Sequence, residues 1–158
     1  MLKIRPATRD DVATLLNLIR ELASYEKKRY KAVVTEQDLL RDGFGPQPKF
    51  RALIADWNGQ PAGYASFYYF YSTFLGRPAL FLEDLFVLDQ LRGKGIGKAL
   101  LASVAKLAVE EGCFGLRWEV LDWNQPAIDF YEKLGATFLH ERRAVSFDEE
   151  AMRRVAGT

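Results

Sequence analysis

Leu80-Phe81-Leu82-Glu83-Asp84-Leu85-Phe86-Val87 is an apolar run interrupted by two acids, and soon after it Arg92-Gly93-Lys94-Gly95-Ile96-Gly97 opens the helical pattern Lys98 to Glu111. A strand therefore ends where a helix begins, with glycines at the junction. Glycine lets the backbone take positive φ and approach a ligand closely, and the unpaired N–H groups of a helix N-terminus favour an anion. The loop reads as a phosphate cradle.

Spacing decides between glycine-loop patterns. A P-loop would need Gly-Lys followed by Ser or Thr, but Gly97-Lys98 precedes Ala99. A dinucleotide fingerprint needs G-x-G-x-x-G, and here Gly93, Gly95 and Gly97 are spaced by two, with Lys98 in the third glycine's place. What remains is R-x-x-G-x-G, either an anion loop or a simple strand-to-helix turn. Further along stands Asp122-Trp123-Asn124-Gln125-Pro126-Ala127-Ile128-Asp129-Phe130-Tyr131-Glu132-Lys133-Leu134-Gly135-Ala136, with Pro126 suited to a first helical position and Gly135 to the helix end.

Together the two stretches resemble the two signatures of the GNAT superfamily of N-acetyltransferases. From Ile4-Arg5-Pro6-Ala7-Thr8 to Ala136 the chain is similar to its spermidine/spermine and thialysine N-acetyltransferase branch. The resemblance implies an α+β (mixed α/β) fold: a twisted mixed sheet of about seven strands flanked by about four helices, splayed between its fourth and fifth strands. It implies acetyl-CoA as co-substrate, with Arg92, Gly93, Lys94, Gly95, Ile96, Gly97 and Lys98 at the pyrophosphate. Backbone groups of Leu85, Phe86 and Val87 would meet the pantetheine arm. Asn124, Pro126, Ala127 and Tyr131 would add contacts to coenzyme A.

The 158 residues, 49% hydrophobic and 27% charged, suit a single domain spanning 1–158. A net charge of +1 gives no global field for nucleic acid or an anionic membrane. One cysteine, Cys113, and one histidine, His140, exclude an internal disulfide and disfavour a protein-built metal site. We assign neither a role. No signal-peptide core and no run near the ~20 apolar residues of a membrane span is present. The expected location is the cytoplasm.

Residue patterns predict a strand from Ile4, then a helix after Thr8-Arg9-Asp10-Asp11 with Val12, Leu15, Leu16, Ile19, Leu22 and Ala23 on one face. Thr35 or Asp38 can cap a second helix that stops at Gly43. Phe50 to Ala55 and about Ala62 to Tyr71 read as strands around the hairpin turn Asn58-Gly59, and 79–87 as the next. After the long helix and Gly112, Leu116, Trp118 and Val120 alternate as a strand, with Arg117, Glu119 and Leu121 facing the other way. The Pro126 helix follows, and Thr137 to Leu139 with Ala144 to Phe147 make a final pair of strands. Strand, two helices, three strands, helix, strand, helix, two strands is the order of an α+β sheet.

Moving an acetyl group from a thioester to an amine needs a deprotonated amine, a stabilised oxyanion and a proton for the departing thiolate. An alkyl amine with pKa near ~10.4 is mostly protonated at neutral pH, so a carboxylate is a useful proton acceptor. Glu83 is the leading candidate, because a charge inside an apolar strand is costly unless paired or used. Strand alternation would send Glu83 and Asp84 to opposite faces. A phenol with pKa near ~10 can protonate a thiolate, and the resemblance assigns that general-acid role to Tyr131. It also places a base or substrate carboxylate at Glu83.

At the acceptor side, a Tyr-Glu pair after the first helix contacts substrate in this branch, and Tyr25-Glu26 stands there. Glu119 is a further substrate-side candidate. The segment that follows, Lys27-Lys28-Arg29-Tyr30-Lys31, is basic where polyamine enzymes are acidic, which would repel a polycation and favour an amine that also carries a carboxylate. The expected partners are a small-molecule amine and, from the resemblance, a second copy in a homodimer. A non-catalytic acyl-CoA sensor or scaffold and a protein or peptide amine acetyltransferase are the alternatives.

Overall fold

The computed structural model describes residues 1–26 and 31–158. The chain forms two compact units, Met1–Glu119 and Val120–Thr158. In the first unit lie β1 (Leu2–Pro6), α1 (Val12–Tyr25), α2 (Glu36–Phe44), β2 (Arg51–Trp57), β3 (Gln60–Ser72), β4 (Arg77–Val87), α3 (Ile96–Glu110) and β5 (Leu116–Trp118). The second contains α4 (Gln125–Lys133) and α5 (Glu149–Ala156).

The strands lie side by side in chain order. β1 to β4 pair antiparallel and β4 pairs with β5 in parallel, giving the mixed sheet expected. Asn58 and Gly59 both take positive φ, 52° and 81°, as a tight hairpin between β2 and β3 requires. Ala52, Ile54, Tyr64 and Phe86 on one sheet face pack with Val12, Leu15, Leu16 and Leu18 of α1 and Leu39 of α2. Helix α3 also packs on the sheet, burying Ile96, Leu100, Leu101, Val104 and Ala108. Each leucine so buried stabilises the fold by about 1.5–3 kcal/mol relative to exposure.

Local chemistry sets the helix starts. Thr35 is the α2 cap: its Oγ1 accepts from Asp38 N at 3.1 Å while Asp38 Oδ2 accepts from Thr35 N at 2.9 Å. The helix runs past Gly43 to Phe44, with Gly45 as its cap. Ahead of α1, the Asp11 carboxylate accepts from Thr8 N at 2.7 Å and from Arg5 at 2.9 and 3.0 Å.

Two expectations are corrected. Among the described residues there are five strands, not about seven: residues 137–148 form no ladder, and Val145 and Phe147 stand exposed. A strand exists only where a partner supplies its hydrogen bonds, and these short apolar stretches flank the charged Glu141-Arg142-Arg143. Among the described residues there are five α-helices against about four expected, because Asp148 caps α5 through Ala151 N and Gly157, at φ 79°, ends it.

Candidate active site

Glu83 lies at an irregularity in the sheet. Ser66 pairs with Asp84 and Phe67 with Leu82, so the register assigns no residue of β3 opposite Glu83. An extra residue of this kind interrupts alternation and re-aims a side chain. The expectation that Glu83 and Asp84 face opposite ways therefore does not carry across this step. Both acids act electrostatically on Tyr64, as does Glu26 at the end of α1.

Beside Glu83 the β4–β5 ladder also stops. Its three pairs run from Leu80 with Leu116 to Leu82 with Trp118. From Glu83 to Val87 that edge of β4 has no strand partner among the described residues. Among the described residues no strand pairs with Leu85, Phe86 and Val87 on this edge, the kind of edge along which an extended ligand pairs, and Val87 O accepts from Arg92 Nε at 3.2 Å. The sequence resemblance implies a splay between the fourth and fifth strands at this place, and the ladder ends there because β5 stops at Trp118.

The loop between β4 and α3 has the predicted glycine geometry. Gly93 and Gly95 both take φ 81°, and Gly95 is the residue that caps α3. Space is not what selects glycine at these two positions, since a Cβ would meet nothing within 4 Å; the left-handed backbone is. Gly97 has no such backbone demand, and a Cβ there would make only an ordinary contact to Val87 at 3.7 Å. A glycine that the chain itself does not need, in the first turn of a helix whose N–H groups lack helical partners, fits a phosphate group approaching the backbone.

The basic side chains are arranged unequally. Arg92 lies over the Tyr25 ring at 4.1 Å and the Phe86 ring at 5.7 Å and reaches Asp89 at 3.4 Å. Lys94 sits over Trp57 at 5.6 Å, and Lys98 is exposed on the first turn of α3. Ile96 faces the core.

At the expected acceptor side, Glu83 is exposed as a residue, yet its carboxyl is crowded enough that desolvation, then Asp84, Glu119 and Glu26, raise its pKa above the ordinary value. A carboxylate surrounded by like charges is a stronger proton acceptor than one in water. Tyr68 is raised by burial and then by Glu83 and Glu119. Glu119 lies one residue beyond β5, not within it as its alternation suggested, and still acts on Glu83. Tyr25 ends α1 and Glu26 caps it, while Lys27-Lys28-Arg29-Tyr30, the core of the basic segment, lies outside the described residues.

In the second unit, Asn124 caps α4, its Oδ1 accepting from Ala127 N at 3.4 Å, and Pro126 occupies the first turn. Tyr131 is the buried side chain of α4, with its ring 5.5 Å from that of Phe130. Gly135, at φ 84°, ends the helix as expected. Cys113 has its thiol pKa raised first by burial, which makes it a poor nucleophile, and His140 stacks on Phe138. Tyr64 and Ser66, whose hydroxyls both reach Asp84, were not legible as site residues; only the strand register brings them there.

Comparison with known proteins fits this geometry. The model of the acetyltransferase (GNAT) family matches residues 13–136. A thialysine N-epsilon-acetyltransferase of Sus scrofa is 41% identical over 98% of this chain and 96% of its own length. An L-ornithine N5-acetyltransferase of Arabidopsis thaliana is 39% identical over 97% of this chain and 87% of its own. Among solved structures, an integron cassette protein from V. cholerae superposes with a TM-score of 0.84 at 24% identity, over 99% of this chain and 98% of the other, which bears on the fold alone.

Proposed function

This chain belongs to the acetyltransferase (GNAT) family and is an N-acetyltransferase, and on that footing we propose that it moves acetyl from acetyl-CoA directly to the terminal amine of a small, lysine-like amino acid. The observation that carries the reading is Glu83, at an irregular step of β4 where pairing to β5 ends and surrounded by further carboxylates. Glu83 takes the proton of the ammonium, and the freed nitrogen attacks the thioester carbonyl. Backbone N–H groups at Leu85 to Val87 steady the pantetheine arm and the oxyanion. As the C–N bond forms and the C–S bond breaks, Tyr131 gives its proton to the departing thiolate and regains one from the second proton that the attacking nitrogen loses, and no acyl-enzyme intermediate is needed.

Three lines support the choice of acceptor. Glu26 and Glu119 act electrostatically on Glu83, so negative charge gathers where the ammonium would lose its proton. The basic segment from Lys27 to Lys31 offers a counter-charge to a carboxylate and opposes a polycation. Two relatives are named for thialysine and L-ornithine, amino acids with a side-chain amine. Asn124, Pro126, Ala127 and the Arg92–Lys98 loop serve coenzyme A, and residues 1–158 work as one catalytic domain.

The enzyme acts as a homodimer in the cytoplasm. Exposed Tyr69, Tyr71, Phe74 and Leu75 around the β3–β4 turn support a packed surface there. Among the described residues no helix is long and apolar enough to cross a membrane, and no cluster of three or more metal-ligating side chains occurs.

Thiol release from acetyl-CoA with thialysine, lysine, ornithine, putrescine and spermidine tests the proposal. Turnover of the amino acids above the polyamines supports it. Preference for spermidine overturns the charge argument, and coenzyme binding with no turnover of any amine would turn the reading to an acyl-CoA sensor.

A further inference from the structure

The irregular step at Glu83 is flanked by a buried polar cluster that the reaction described above does not use. Tyr64 Oη donates to Asp84 Oδ2 at 2.9 Å, and Ser66 Oγ donates to the same oxygen at 3.0 Å. Tyr64 is 1% exposed and Ser66 8%, so both hydroxyls are committed to this carboxylate in the interior of the sheet. Ser66 and Asp84 are also the last pair in register before the skipped residue. Apolar side chains there would fill the space without the desolvation cost of a carboxylate.

We infer that Asp84, clamped by Tyr64 and Ser66, is a positioning residue that fixes the step at which Glu83 leaves the ladder and places a second negative charge beside it. The inference rests on Glu83 accepting the amine proton. Burial, the largest cause, raises the pKa of Asp84, and the hydrogen bonds from the two hydroxyls oppose that rise. An ionised neighbour strengthens Glu83 as a base, and Asp84 is the largest charge effect upon it. The groups facing Glu83 are Asp84 on its own strand, Tyr64 and Tyr68 on β3, Glu26 at the end of α1 and Glu119 just past β5. Asp84 is held by two buried donors, so its carboxylate is fixed in place beside Glu83.

Asp84→Asn keeps an acceptor oxygen for both hydroxyls and removes the charge, which makes it the test. The pH dependence of kcat/KM is measured for the wild type and the variant with one acceptor amine, whose own titration is common to both. Loss of the neighbouring charge makes Glu83 more acidic, so the acid limb moves to lower pH, by on the order of half a unit or more. The plateau falls at the same time because the base is weaker. A lowered plateau with an unmoved acid limb would assign Asp84 a purely structural role and overturn the inference.

Glu83→Gln separates this from the underlying reading. If that variant keeps wild-type kcat, Glu83 is not the base; if it is inactive and the Asp84→Asn limb stays in place, only the present inference fails. Should Asp84→Asn not fold, a carboxyl-carbon NMR titration of the wild type decides the matter. Two coupled inflections at Glu83 support the arrangement, and a single unperturbed titration overturns it.

Discussion

The guanidinium carbon of Arg92 lies 4.1 Å from the centre of the Tyr25 ring, so the loop after β4 is held against the last residue of α1. Arg92 belongs to the proposed coenzyme loop and Tyr25 to the proposed acceptor side. A cation over an aromatic face contributes about 0.5–2 kcal/mol. Tyr25→Leu removes the face without touching the loop. Acetyl-CoA affinity, measured by calorimetry in the absence of acceptor, is expected to weaken by about two- to thirty-fold, the equivalent of that energy. An unchanged Kd would show that Arg92 does not need Tyr25 to meet the coenzyme.

Tyr131→Phe keeps the ring of the buried α4 side chain and removes only its hydroxyl. The expected loss is about ten- to ten-thousand-fold in kcat, the range for removing a general acid or base. Acetyl-CoA affinity should change little. A variant with wild-type kcat would mean that the thiolate leaves without help from this phenol.

At Gly95 the constraint is conformational. Its φ of 81° caps α3 in the left-handed region, which a β-branched residue adopts only under strain of about 1–3 kcal/mol. Gly95→Val is expected to lower the melting temperature and to weaken acetyl-CoA binding at least about tenfold, since a shift in this cap turns the first N–H groups of α3 away from an anion. Normal coenzyme affinity by calorimetry would remove the loop from the binding site.

Local signals carried much of this structure. Asn58-Gly59, Thr35 with Asp38, Gly95 and Gly135 each mark a turn, cap or helix end, because positive φ and side-chain capping depend on a few adjacent residues. The irregular register at Glu83 left no such mark: Ser66, Phe67, Glu83 and Asp84 fit regular strands equally well, and only pairing between distant segments skips one of them. Strand patterning at 137–139 and 144–147 misled for the same reason, since apolar residues do not make a ladder without a partner. Helix α5 did carry signals, Asp148 before it and Gly157 after it. Of the site, Glu83 was visible as an acid in an apolar run; the hydroxyls that hold Asp84 were visible only once β3 and β4 were aligned.

Asp11 offers a test of how the first unit is tied together. It accepts two hydrogen bonds from Arg5 and one from Thr8 N, and Arg5 also reaches Asp56 at 2.7 Å. The bonds from Arg5, first, hold the Asp11 carboxyl below its ordinary pKa. A carboxyl with a depressed folded pKa contributes stability that is present above its unfolded value and is lost as pH falls through the folded value. Asp11→Asn should therefore cost about 1–3 kcal/mol in urea denaturation at pH 7, with the gap closing as pH falls below about 4. A gap of equal size at pH 3 would assign the loss to packing rather than charge.

Gly63 is where β3 and β4 come closest to excluding a side chain. It pairs with Val87, and a Cβ built on it would lie 2.4 Å from Phe86 O and 3.1 Å from Val87 Cα, both backbone atoms that cannot rotate away. Gly63→Ala must therefore push β4 outward at the end that feeds the glycine loop. Overpacking of this kind costs about 1–3 kcal/mol, which a thermal melt would register as a drop of several degrees. Because Phe86 and Val87 lie on the proposed pantetheine edge, the acetyl-CoA KM should rise together with the loss of stability, while the acid limb set at Glu83 stays in place. If stability falls but the coenzyme KM is unchanged, the backbone of Phe86 and Val87 is not where the pantetheine arm binds.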